Sequence, residues 1–166
     1  PILSAMWGAG QMMFNKILVL VDEGISITDY KSLARYVFEN LNPAADISFA
    51  QGPMDVLDHS CSKPGFGGKM CMDGTRKFLE ERDDRYAFSG NIRIPREEDF
   101  LQAFPEISAI NTRLLDLSIP CLIVSLAKKR KGQVRDLHRK LGAELLPACN
   151  IKLILYIDDL IDATNL

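Results

Sequence analysis

Two segments of the chain carry one pattern. NKILVLVDEGISITDY, residues 15–30, and IKLILYIDDLIDATNL, residues 151–166, each place a lysine before an apolar run and close that run on two acids. Lys16, Asp22, Ile25 and Thr28 recur at a constant offset as Lys152, Asp158, Ile161 and Thr164. A continuous apolar run of branched residues, bounded by charge, fits a strand covered on both faces. Such strands belong to parallel sheets flanked by helices. The repeat therefore predicts an α/β fold, a layered sheet of mainly parallel buried strands with helices around it.

The intervening sequence supplies elements for that plan. Residues 3–14 can wind as a helix with Ser4 as N-cap, weakened by Gly8 and Gly10. After the strand at 16–21, Thr28 or Asp29 caps DYKSLARYVFENL, in which Tyr30, Leu33, Ala34, Val37, Phe38 and Leu41 form one apolar stripe. Asn42-Pro43 stops that helix, and ISFA at 47–50 reads as the next strand of a right-handed βαβ unit. Residues 51–77 lose periodicity and gain proline and glycine, which predicts an ordered excursion from the α/β pattern. The polar stretch 80–99 reads as a surface linker. Beyond it, EEDFLQAF predicts a short helix, INTRLLDL a strand and IPCLIVSLA a strand. KGQVRDLHRKLGAELL predicts a helix with Val134, Leu137, Leu141 and Leu145 on one stripe, and IKLILYI a final buried strand.

Composition narrows the function classes. A formal net charge of −2 gives no electrostatic reason to expect nucleic acid or an anionic membrane as partner. No apolar run approaches the roughly 20 residues that span a bilayer, and the apolar opening lacks the basic start of a signal peptide. Cys61, Cys71, Cys121 and Cys149 form no CxxC pair, so reduced thiols in a cytoplasmic protein are expected.

Five groups invite a chemical reading, and each has a plainer one. GFGGKM at 65–70 has glycines that could cradle an anion. It lacks the Ser or Thr after Lys69 that a phosphate loop needs and follows no strand, so we read it as a turn with positive φ. His59 and Cys61 make an HxC with no second ligand pair, which favours no metal. Asp22-Glu23 and Asp158-Asp159 stand at strand ends where α/β sheets bind ligands. We read them as caps for the helices that follow. His138 has no acid or nucleophile at fixed spacing, and Lys128–Lys131 reads as a solvated turn, so both are expected at the surface.

Three stretches carry a resemblance. MWGAGQMMFNKILVLVDEGISITD is one, and NPAAD with GPMDVLDHSCSKPGFGGKMCMDGTRK is the second. FPEI, IPCLIVSLAKKRKGQVRDL and IKLILYIDDLIDATN make the third. Together they resemble the C-terminal region of UbiD-type decarboxylases, the prenylated-flavin carboxy-lyases. Gly74 stands where that family usually has alanine, and Gly24 and Ser26 replace acids often found there. In the family the third stretch normally precedes the first. The resemblance thus implies two half-repeats in permuted order: residues 1–90 a back half of one C-terminal-like domain, residues 91–166 the front half of a second. The halves either pack together as one permuted domain or seek partners in a neighbouring chain, giving a swapped dimer.

The resemblance further implies a parent enzyme that removes carboxylate from an aromatic or polyprenylated aromatic acid, as in quinone biosynthesis. Its cofactor would be prenylated FMN with a divalent metal and potassium. The family's flavin domain and Arg–Glu–Glu set lie N-terminal to the region resembled, so no catalytic residue and no metal ligand is assigned here. The chain alone is expected to be inactive and to hold no cofactor. Gln11 and Lys16 are the candidate cofactor contacts, being nearest the family's cleft; Lys16 is equally a snorkelling strand-end charge. Expected partners are the rest of the parent polypeptide and further copies in a homo-oligomer. Expected placement is cytoplasmic, peripheral to the membrane if the substrate is polyprenylated. The competing classes are a non-catalytic α/β binding or assembly module and a free-standing nucleotide-binding protein.

Overall fold

The computed structural model describes residues 2–61, 63–81, 92–93, 96–144 and 149–163. The chain divides into two compact units, Pro1–Ala87 and Phe88–Leu166.

Unit 1 contains α1 (Ile2–Trp7), a 3-10 turn (Gly10–Phe14), β1 (Ile17–Leu20), α2 (Tyr30–Asn40), β2 (Ile47–Pro53) and β3 (Phe66–Asp73). The sheet runs in the order β1-β3-β2. β1 is parallel to β3, and β2 is antiparallel to it. The expected βαβ unit is therefore absent, because the chain returns from α2 into a strand that opposes β1. Residues 51–77 also differ from expectation: they finish β2 and supply β3, the central strand. Among the residues of GFGGKM, only Gly65 has positive φ, at 68°; the rest is paired strand. Glycine serves packing there, since a Cβ on Gly67 would lie 2.8 Å from the Cys61 sulfur and 3.3 Å from Met54 Cγ. Small residues in a strand broke the expected periodicity, and the side chains they admit (Cys61, Met54) are distant in sequence.

The core of unit 1 is small. Leu18, Val37, Phe38, Leu41, Met54 and Cys71 are its buried apolar residues. Leu18 and Cys71 are register partners on one sheet face. The opposite face carries Ile17, Val19 and Phe49, all exposed, so β1 is covered on one side and not on both. Asp29 caps α2 as expected, accepting from Ser32 N at 3.2 Å. Tyr30 leaves the predicted stripe and is exposed. The predicted 3–14 helix breaks after Trp7, with Ser4 inside α1 and not at its cap; Gly10 takes φ 45° where the helix gives way.

Unit 2 contains α3 (Glu97–Ala103), β4 (Ile107–Asn111), α4 (Arg113–Asp116), β5 (Cys121–Leu126), α5 (Gln133–Glu144) and β6 (Leu153–Asp158). Its sheet order is β4-β5-β6, with β4 antiparallel and β6 parallel to β5. The sheets are thus mixed, not mainly parallel. β5 is buried along its whole length, as its sequence required. It sits in a core with Phe100, Phe104, Leu115, Leu137 and Leu141. β6 is only half-buried. INTRLLDL is not a strand. Asn111 ends β4, its Oδ1 accepts Arg113 N at 2.9 Å, and its Nδ2 donates to Ala163 O. That local turn starts α4. Leu145 and Thr164 and most of the polar 80–99 stretch lie outside the described residues.

Candidate functional site

The groups that sequence reading singled out in unit 1 converge on two places, the start of β1 and the carboxyl ends of β1 and β3. At the first, Lys16 Nζ donates to Asp58 Oδ2 at 2.9 Å and to Ser60 Oγ. The Asp58 hydrogen bond raises the Lys16 pKa, and the same bond with those from Ser60 holds the Asp58 carboxyl well below the usual range. Lys69, the lysine of GFGGKM, is 4% exposed. Its Nζ donates to Met13 O and, at 3.0 Å, to Asn15 O, the carbonyls that end the 3-10 turn. It also stands 5.7 Å from the centroid of the Trp7 ring, a cation–π contact. Trp7 Nε1 donates to Asn15 O at 3.2 Å. Burial pulls the Lys69 pKa down. Gly52 on β2 leaves room for this side chain, since a Cβ there would lie 3.1 Å from Lys69 Cε.

Between these lysines the exposed sheet face holds a depression of about 690 Å3, floored by Ile17, Phe49, Met70, Gln51 and Gly68. Ile17, Met70 and Phe49 are successive register partners across β1, β3 and β2, so the floor is an apolar row. Lys16 lines it. Gln11 is exposed in the 3-10 turn and is not among its lining residues.

At the second place the D-x-T-x-K residues form a clamp. Asp73 Oδ1 accepts from Thr75 N (3.1 Å) and Thr75 Oγ1 (2.6 Å). Burial pushes the Asp73 carboxyl up, and the Thr75 hydrogen bonds with Lys77 outweigh it and bring the pKa down. Lys77 Nζ donates to Asp73 O (2.9 Å) and Thr75 O (2.8 Å) and pairs with Asp46 at 3.8 Å. Asp22 accepts from the Tyr36 hydroxyl and from Arg76 N at 2.9 Å. These bonds, Tyr36's first, hold its carboxyl low. Asp22 thus ties α2 to the segment after β3 and does not cap α2, as expected for it; Asp29 has that role. Asp158 accepts from Leu160 N at 3.1 Å in a turn.

The remaining candidates are quickly placed. His59 is exposed and Cys61 half-buried, and no group of three or more His, Cys, Asp or Glu among the described residues could hold a metal. His138 is exposed and its Nδ1 lies 3.0 Å from the Tyr156 hydroxyl. Next to Lys128–Lys131, the buried Gln133 accepts Lys129 N at 2.7 Å and donates to Ala127 O. Sequence reading missed this residue; a Gln just inside a helix after a basic turn was its only signal.

The family comparison falls on unit 1. Residues 2–74 match the 3-octaprenyl-4-hydroxybenzoate carboxy-lyase C-terminal domain. The match to this carboxy-lyase domain ends at Gly74, on the last residue to pair with β1. An uncharacterized protein of Aquifex aeolicus is 39% identical over 77 residues, covering 46% of this chain. The chain spans only 16% of that relative's length. Two solved structures match part of the chain. One is the vanillic acid decarboxylase of Sedimentibacter hydroxybenzoicus in open form, at 22% identity and TM-score 0.47, with 63% of this chain and 23% of that chain covered. The other is the UbiD-class enzyme HmfF from Pelotomaculum thermopropionicum in complex with FMN. It shows 26% identity and TM-score 0.39, with 57% of this chain and 20% of that one covered. No helix among the described residues is long and apolar enough to cross a membrane.

The residues present do not fit a flavin phosphate or its metal. Gly67 is paired opposite Gly52 in the β3–β2 ladder, so GFGGKM is a strand and forms no concave anion loop. Both nearby ammoniums are already held, Lys16 by a carboxylate and Lys69 by main-chain carbonyls.

Proposed function

We propose that this chain is part of a UbiD-type carboxy-lyase that decarboxylates an aromatic acid, with a polyprenylated hydroxybenzoate or related quinone precursor as the substrate class. The match over residues 2–74 carries the reading. Flavin, metal and acid–base chemistry would come from the rest of the parent polypeptide. This chain would contribute scaffold, an oligomer contact and the border of a cleft. The resemblance of residues 99–166 to the preceding part of the same domain supports a parent with two such domains in tandem, 1–90 from one and 91–166 from the next.

A second reading is favoured by the use of the polar groups. Lys16, Lys69, Asp22 and Asp73 all hold chain segments together, which suits a non-catalytic assembly module equally well. The parent polypeptide separates the two. Loaded with prenylated FMN, manganese and potassium, it is expected to release carbon dioxide from hydroxybenzoates, while this chain alone does not. A parent without a flavin domain in its coding sequence would remove the enzyme reading and leave the module.

A further inference from the structure

β1 and β6 are copies of one sequence pattern, yet they pair through opposite edges. In β1 the Lys16 and Leu20 carbonyls accept Met70 N and Gly74 N, both at 2.9 Å. Peptide groups alternate along a strand, so Lys16, Leu18 and Leu20 face β3 and Ile17 and Val19 face away. In β6, Leu153 N donates to Pro120 O at 3.1 Å, with Lys152 N sharing that acceptor just ahead of the strand. In the strand itself, Leu153, Leu155 and Ile157 face β5. Leu153 is the repeat counterpart of Ile17. The edge that β6 fills is therefore the edge that β1 leaves open, and the reverse holds for Ile154 and Tyr156.

Both open edges lack the usual protection. Proteins guard edge strands with lysine, proline or a bulge. Here Ile17 and Val19 on β1 and Leu155 on β6 are 57%, 42% and 44% exposed. Each edge also has a known preference. The edge open in β1 takes a parallel neighbour in β6, and the edge open in β6 takes a parallel neighbour in β1.

We infer that the chain pairs with a second copy of itself, β1 of each copy lying parallel to β6 of the other through these open edges. Equal register sets Leu18 beside Ile154, Val19 beside Leu155 and Leu20 beside Tyr156, so every row is apolar or aromatic. Repeat-equivalent side chains then share a sheet face. Lys16 and Asp22, at the strand ends, already hold partners in Asp58 and Arg76, so no bare like charges meet on that side. Each copy offers both edges, so the exchange is reciprocal between two copies. It depends on main-chain edges and stands apart from the carboxy-lyase reading.

Size-exclusion chromatography with light scattering on the 166-residue chain tests it, with twice the 18.6 kDa chain mass expected. Val19→Pro removes an outward N–H and spares the β1–β3 ladder; Ile154→Pro does the same in β6. Each variant alone should elute as a monomer with its far-UV circular dichroism retained. Their equimolar mixture should recover dimer, because intact β1 of one meets intact β6 of the other. If proline unfolds either strand, Val19→Lys and Ile154→Lys make the same comparison by edge charge. A wild-type monomer, a dimer that survives both variants, or a mixture that stays monomeric overturns the proposal.

Discussion

The Lys16 ammonium meets the Asp58 carboxylate at 2.9 Å and fastens the start of β1 to the loop between β2 and β3. Asp58 also receives Ser60 N at 2.9 Å, so one carboxylate both closes the loop on itself and takes the lysine. Asp58 is thereby a latch between that loop and β1.

Lys16→Met should let the Asp58 carboxyl titrate closer to the ordinary range, near the unfolded value of about 3.9. Carbonyl-carbon NMR across an acid titration reads this directly. The sign for stability follows. A depressed carboxyl contributes above its unfolded pKa, and the contribution fades as pH falls through its folded value. Acid unfolding of the wild type should therefore include a term that Lys16→Met reduces. Identical Asp58 titrations in the two proteins would show that the pair does not form in solution.

Lys69 offers a sharper stability test because its ammonium is buried. Lys69→Met keeps the apolar stem, leaves the Met13 carbonyl without its Lys69 donor and leaves Asn15 O with Trp7 Nε1 alone. The expected loss is about 2 kcal/mol, the scale for a hydrogen bond to a charged group. Urea unfolding measures it, and Trp7, the only tryptophan in the chain, gives a clean fluorescence signal. Emission from Trp7 should also shift in the folded variant as the cation above its ring is lost.

What the sequence made legible depended on how local the cause was. β5 is buried on every residue, and its unbroken CLIVSL run said so. α2 was marked by its stripe and by Asp29, whose cap lies three residues from the N–H it satisfies. β3 was hidden because its Gly67 answers to Cys61 and Met54, neighbours brought near by folding. The site residues follow the same rule. Lys16 was marked by its position before a strand, but its engagement with Asp58 is tertiary. Lys69 gave no sign of burial, since a lysine beside glycines reads as exposed loop.

Thiol reactivity should separate the four cysteines. Cys71, Cys121 and Cys149 are buried, and Cys61 is half-buried. Burial raises the thiol pKa of all three buried cysteines, and of Cys121 to about 11. Only the thiolate attacks a disulfide reagent. At pH 8 the native chain should release one equivalent of thionitrobenzoate quickly, and Cys61→Ser should abolish that phase. All four should react in denaturant. Two or more fast thiols in the native chain would mean that β3, β5 or the surroundings of Cys149 open far more readily than their packing implies.

The residue just after β3, between Asp73 and Thr75 of the clamp, is set by space. A Cβ on Gly74 would lie 3.0 Å from Val37 Cα, Cγ1 and Cγ2, so α2 can approach the end of β3 only over glycine. Gly74→Ala should cost about 1–2 kcal/mol as α2 moves outward. Val37→Ala, at a residue 4% exposed, costs stability on its own by emptying part of the core. In the double variant the two losses should fall short of adding, by at least about 0.5 kcal/mol, because the missing Val37 methyls make room for the new one. Relief stays incomplete, since Val37 Cα belongs to the backbone and keeps its place. Additive losses in a urea-unfolding cycle would show that the contact of Gly74 with Val37 has no part in the cost.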